Sequence, residues 1–225
     1  MTLPVDLRAT RRGFLGLAAA CGAAALGIRP AFAQQALVEG QNYTRLKNPQ
    51  PVDSGKKIEV LEFFSYACPH CRDLDPELVA WKKSLPADVE FKRVPVDFGR
   101  EQWKSLGKAY YTLEALGVEE KLTPELFVAL HDKRVPLSDP KQFLDWVATK
   151  GVDRKKAEDT FNSFGITSRL NRALALAKNY AIQSVPTVIV DGKYQLSSDK
   201  VGSHANMPGA IDQLVAKART ERPKG

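Results

Sequence analysis

Two cysteines separated by two residues, in Cys68-Pro69-His70-Cys71, are the residues of this chain whose types and spacing carry chemistry. Such a pair can close into a small disulfide and reopen, exchanging two electrons with another pair of thiols. The run Val60-Leu61-Glu62-Phe63-Phe64, rich in strand formers, leads toward Cys68. A helical pattern begins at Pro69, whose fixed φ and missing N–H suit the first helical position. Cys68 therefore falls at the N-cap, where unpaired N–H groups and the positive end of the helix dipole favour a thiolate. Leu74, Leu78, Trp81 and Leu85 form a stripe at helical spacing, and Cys71 lies on the same stripe. The pattern predicts an exposed Cys68 with Cys71 facing inward: one thiol presented, the other behind it.

Two blander readings of the pair fit less well. A zinc site needs about four ligands, and His131 and His204 stand apart from each other and from any second cysteine pair. Two inert core cysteines would not call for Pro-His between them at a strand-to-helix junction. No metal and no bound cofactor are implied.

The elements that must hold the pair follow from the rest of the 225-residue chain. Hydrophobic content of 44% with 26% charged residues is that of a globular protein able to bury a substantial core. The first 33 residues read as a cleaved export signal. Thr10-Arg11-Arg12-Gly13-Phe14-Leu15 is similar to the twin-arginine consensus, and Ala31-Phe32-Ala33 is a small-x-small cleavage site. The apolar run from Phe14 to Ile28 is 15 residues long, short of the ~20 that span a bilayer. Its Ala- and Gly-rich composition and Arg29 favour the twin-arginine route over general secretion. Cys21 should leave with this leader; a lipoprotein site there is disfavoured because Ala18 stands where Leu is usual.

Without Arg8, Arg11, Arg12, Arg29 and Asp6, the 33 basic and 26 acidic residues become 29 and 25. That mild, interspersed excess leaves no footprint for nucleic acid. Cys68 and Cys71 are then the two remaining cysteines, and their pairing agrees with an oxidising compartment. Closing so short a loop removes little chain entropy, so the disulfide serves chemistry rather than stapling.

Residues 34–55 are polar, with Tyr43–Leu46 as a short edge strand. Strand Ile58–Phe64, helix Pro69–Leu85 (carrying Pro76, expected to kink it) and strand Val89–Val94 make a βαβ unit with parallel pairing. A helical stretch follows. One helix carries Trp103, Leu106, Tyr110, Leu113 and Leu116 up to Gly117. Others open at Thr123-Pro124, at Ser138-Asp139-Pro140 and at Asp153, and a longer one carries Ile166, Leu170, Leu174, Ala177 and Ala181. Strand chemistry resumes over Val185–Val190, turns at Asp191-Gly192, returns over Lys193–Leu196, and gives way to a helix from about Pro208.

This order resembles the thioredoxin fold and, more closely, the DsbA family of periplasmic thiol–disulfide oxidoreductases. The resemblance covers Gly40 to about Lys217. It rests on Phe63-Phe64-Ser65 before the pair, the Cys-Pro-His-Cys itself, Ser184-Val185-Pro186-Thr187, and Leu126-Phe127, His131 and Phe143 to Gly151-Val152-Asp153 within the helical stretch. Tyr66-Ala67 stands where family members often carry two aromatics.

The resemblance implies an α/β thioredoxin-like domain (56–98 with 182–220) split by a helical insertion (99–181). It implies Cys68 as the substrate-linked sulfur and Cys71 as the resolving one, with Pro69 and His70 tuning the pair. Pro186 would be the family's cis-proline, leaving Val185 to pair with a substrate strand. Glu62 would be the buried acid beneath the pair, relaying protons. The implied activity is disulfide donation by a periplasmic monomer to newly exported or unfolded cysteine-containing proteins, with regeneration by a membrane quinone-linked oxidase of the DsbB type. A reductase or isomerase of the same fold is the nearest rival. A peptide-binding chaperone would have no need of paired thiols, and a thiol metallochaperone would carry metal.

Overall fold

The computed structural model describes residues 36–222; the expectations placed on the leader, including Arg11, Arg12, Cys21 and Ala33, lie outside them. The fold is built on β2 (Ile58–Phe64), which is buried along its whole length. It lies between two partners, parallel to β3 (Val89–Pro95) and antiparallel to β4 (Thr187–Val190). A strand covered on both faces reads as a continuous apolar run rather than an alternation, which is what Ile58 to Phe64 presents. β5 (Tyr194–Ser197) and β1 (Tyr43–Arg45) complete a five-stranded sheet in the order β1-β5-β4-β2-β3. The short N-terminal strand is an edge strand, as its sequence suggests.

Helix α1 (Pro69–Lys82) forms the β2–β3 crossover. After β3 come α2 (Glu101–Ala115), α3 (Glu119–His131), α4 (Pro140–Ala148), α5 (Arg154–Phe161) and α6 (Phe164–Asn179); α7 (Met207–Glu221) closes the chain. This is the thioredoxin-like α/β architecture with an inserted helical region. Among the described residues no helix is long and apolar enough to cross a membrane.

The sheet separates two apolar clusters. Ile58 and Val60 join Leu74, Leu78 and Trp81 of α1 and Ile211, Leu214 and Val215 of α7 on one side. Leu61 and Phe63 join Leu106, Leu113, Leu126, Phe143 and Leu170 from the helical insertion on the other. Alternate β2 side chains thus anchor both layers. Truncating a fully buried leucine such as Leu74 or Leu126 to alanine costs about 2–5 kcal/mol in such a core.

The β4–β5 connection is the three residues Asp191, Gly192 and Lys193, with φ of 53° at Asp191 and 63° at Gly192, the positive values that a tight hairpin turn requires. Gly192 is also obligatory for space, since a Cβ there would lie 2.1 Å from the Gln50 carbonyl oxygen.

Several boundaries differ from expectation. α1 ends at Lys82, before Leu85, and β4 begins at Thr187, leaving Val185 and Pro186 in the preceding loop. α6 ends at Asn179, and Ala181 has a φ of 50° outside it. α3 starts at Glu119 rather than Thr123, so Pro124 lies inside the helix. Thr123 is not a cap: it is buried, and its hydroxyl donates to Glu119 at 3.1 Å while receiving the Tyr66 hydroxyl at 2.6 Å. Glu119 and Glu120 supply the acidic first turn instead, complementing the helix dipole.

Candidate active site

Cys68 is the N-cap of α1, with extended backbone (φ −88°, ψ 119°) and Pro69 at the first helical position. Its amide donates to the Ser65 carbonyl at 3.0 Å and its carbonyl accepts from Arg72 at 3.1 Å, so the turn from β2 into α1 is held from both ends. Ser65 Oγ adds an acceptor for the Ala67 amide at 3.2 Å. Both cysteines are free thiols.

The expectation of an exposed Cys68 is corrected. Cys68 is only 6% exposed and Cys71 is 0% exposed. The cover over Cys68 is the loop before β4, whose Val185–Pro186 peptide is cis. When protonated, the Cys68 thiol donates to the Val185 carbonyl at 3.4 Å. Sequence distance hides this contact, which joins positions 117 apart. The two thiols therefore differ in degree of burial rather than as outside and inside.

Their chemistry differs more. The Cys68 thiol is pulled down from 9.0 to about 6. The chief cause is a hydrogen bond from the Cys71 thiol, opposed by burial and assisted by the Cys71 and His70 amides and by the His70 imidazole. Burial first, then the neighbouring Cys68 and Glu62, push the Cys71 thiol well above its ordinary value. The two shifts run in opposite directions, favouring the thiolate at Cys68 and the protonated thiol at Cys71.

Glu62 lies behind the pair in β2, 1% exposed, and is not a solvent-facing strand residue. It faces Arg93 in the parallel register, and the Arg93 Nε donates to it at 2.9 Å. Arg93 also bonds Asp75 of α1 at 2.5 Å and Glu119 of α3 at 3.2 Å. One buried guanidinium thus faces three carboxylates, and the Tyr66–Thr123 hydroxyl chain ends on the same Glu119. Burial raises the pKa of Glu62 and of Asp75, with Arg93 opposing the rise in both. A carboxyl of raised pKa beside a high-pKa thiol can hold or give up a proton as the sulfur changes state. Arg93 and Glu119 also line a cavity of about 490 Å³ bounded by α1, β3, α2 and α3, into which neither thiol opens.

Several site neighbours carried little or no sequence signal. Asp75 is one helical turn beyond Cys71, and Arg93 opposes Glu62 across two strands; both relations are visible once the elements are paired. His131 and His204, which stand alone in the sequence, both reach the active-site turn. His131 Nε2 donates to the Tyr66 carbonyl at 2.8 Å, and His204 Nε2 to the His70 carbonyl at 3.1 Å. Nothing local foretells either contact.

A thioredoxin-type sheet carrying a low-pKa thiol at a helix N-cap, a buried partner thiol and an adjoining cis-proline loop defines a thiol:disulfide oxidoreductase. Residues 59–206 match the family of the DSBA-like thioredoxin domain. The thiol:disulfide interchange protein DsbA of Burkholderia cepacia is 39% identical over 201 residues, spanning 88% of this chain and 94% of its own. That of Pseudomonas aeruginosa strain PAO1 is 39% identical over 185 residues, 82% and 87% of the two chains. The crystal structure of P. aeruginosa DsbA superposes with a TM-score of 0.78 at 38% identity, covering 82% of this chain and 95% of that one. The oxidoreductase DsbA from Xylella fastidiosa gives 0.75 at 31%, covering 82% and 99%. The chain belongs to the DsbA family.

Proposed function

We propose that this enzyme is an exported dithiol oxidase that donates the Cys68–Cys71 disulfide to newly exported proteins. A substrate thiolate attacks Cys68 Sγ; the Cys68–Cys71 bond breaks, and its electron pair goes to Cys71 Sγ, which takes up a proton. A second substrate thiolate then attacks the substrate sulfur of the mixed disulfide and expels the Cys68 thiolate. The substrate has lost two electrons and the enzyme has gained them. Glu62, beneath Cys71, is the acid that exchanges this proton. The Val185 backbone beside Pro186 receives the substrate as an added strand, and Pro69 and His70 tune the pair.

The observation carrying this reading is the asymmetry of the two thiols. A sulfur stabilised as thiolate is a good leaving group and favours the reduced enzyme, which makes the disulfide an oxidant. The leader supports a periplasmic location, cleavage after Ala33 and export through the twin-arginine route. A DsbB-type membrane quinone-linked oxidase would return the monomeric enzyme to its disulfide form.

Two measurements test the proposal. Equilibration with glutathione should leave the enzyme reduced under conditions that keep ordinary structural disulfides closed; a pair that stays oxidised would instead support a reductase. In cells, Cys71→Ser should accumulate mixed disulfides with exported proteins through Cys68, read on acid-quenched non-reducing gels and by mass spectrometry. Cys68→Ser should trap almost none. Equal trapping by both would refute the division of roles.

A further inference from the structure

We propose that His204 is a positioning residue for the exchange reaction, acting on the Cys68 thiolate through the His70–Cys71 peptide group. This rests on the oxidoreductase reading above but concerns a residue from a separate part of the chain. The His70–Cys71 peptide has two ends. Its N–H belongs to Cys71 and is one of the backbone donors that lower the Cys68 pKa. Its C=O belongs to His70 and receives His204 Nε2 at 3.1 Å. A carbonyl only accepts, so His204 Nε2 carries the hydrogen. A donor placed on a peptide oxygen withdraws electron density along the amide and makes the N–H at its other end a stronger donor. The polarised N–H belongs to the first turn of α1, the turn that Cys68 caps.

The contact is built rather than incidental. His204 sits in a short 3-10 turn, His204–Asn206, immediately before α7. Asn206 Nδ2 ties that turn to the Val201 carbonyl at 2.8 Å. Asn42 Nδ2 ties the preceding loop to the N-terminal segment through the Lys200 carbonyl at 3.0 Å. Met207, the next residue, is 0% exposed and anchors the turn in the core. His204 also lies face to face with His70, with ring centroids 6.0 Å apart and planes inclined by 21°. One imidazole therefore constrains both the side chain and the carbonyl of the residue between the two cysteines.

Two substitutions separate these effects. His204→Phe keeps a ring over His70 and removes the donor; His204→Gln keeps an amide donor at nearly the same reach and removes the ring. Thiolate absorbance at 240 nm during a pH titration of the reduced proteins reads the Cys68 pKa. Equilibration with glutathione reads the oxidising strength.

The Phe variant should show a rise of about 0.2 to 0.6 in the Cys68 pKa, the share that one polarising bond adds to a charge-assisted hydrogen bond. Its disulfide should be about 1.5- to 4-fold less oxidising at neutral pH, the same change expressed as an equilibrium constant. The Gln variant should stay close to wild type in both readings. An unchanged Phe variant would overturn the proposal, as would a Gln variant shifted as far as Phe. The thiol titration stands whichever direction the enzyme works in, whereas a wild-type protein that leaves glutathione reduced would sink the oxidase reading alone.

Discussion

Replacing Cys68 by serine in the reduced protein should cost stability in a pH-dependent way, and the structure sets the size of the effect. In the folded state the Cys68 pKa is lowered from 9.0 to about 6. A folded-state acid of depressed pKa stabilises the fold fully above its unfolded pKa, and that stability is lost as pH falls through the folded value. Three units correspond to about 4 kcal/mol at the alkaline limit. The linkage integral gives about 0.1 kcal/mol at pH 5, about 1.4 kcal/mol at pH 7 and about 3 kcal/mol at pH 8.5. Serine does not titrate in this range, and Glu62, Asp75 and Arg93 are present in both proteins. The difference in unfolding free energy between reduced wild type and Cys68→Ser should therefore grow by about 3 kcal/mol between pH 5 and 8.5. Urea unfolding of both proteins at the three pH values, under reducing agent, measures it. The about 1.4 kcal/mol at pH 7 is also about 30 mV of oxidising potential in a two-electron couple. A difference that stays flat, or falls with rising pH, would show that Cys68 is not a stabilised thiolate and would remove the physical basis for disulfide donation.

Other perturbations give separate tests. His70→Ala should raise the Cys68 pKa and weaken the oxidant, because the imidazole contributes to the lowering; an unchanged glutathione equilibrium would leave His70 without a tuning role. Arg93→Met should destabilise the protein at neutral pH by about 3–5 kcal/mol, since three carboxylates lose their buried counter-ion. Part of that loss should be recovered as pH falls, because Glu62 and Asp75, already raised in pKa by burial, then take up protons; denaturant curves at pH 5 and pH 7.5 would show it. Changing Arg11 and Arg12 together to Lys should leave precursor unprocessed inside the cell, and normal export of that variant would point to general secretion.

Much of this protein is determined locally. Proline's geometry places a helix start at Pro69 and so puts Cys68 at a cap. Asp191-Gly192 encodes its hairpin because few residues accept two successive positive φ values. Asp139, Asp153 and Ser163 each precede a helix and accept its early amides at 2.6–3.2 Å, although Ser163 is a start that the pattern of α6 did not single out. These features rest on interactions within a few residues, which the sequence displays directly.

What the sequence could not display is whatever depends on chain segments far apart. The cover over Cys68 comes from Val185, that loop narrows the difference in burial between the two thiols, and Thr123, inside α3, joins Tyr66 to Glu119. Arg93 is an ordinary strand arginine until β3 lies beside β2 and brings it against Glu62, Asp75 and Glu119. His131 and His204 are isolated symbols 65 and 134 positions from the carbonyls they hold. Long-range pairs of this kind are chosen by how the layers pack, and burial then strengthens each hydrogen bond and shifts each pKa. The redox pair and the lowering of Cys68 by its neighbours in the helix turn were properties of the sequence; the burial that raises Cys71 is a property of the tertiary structure.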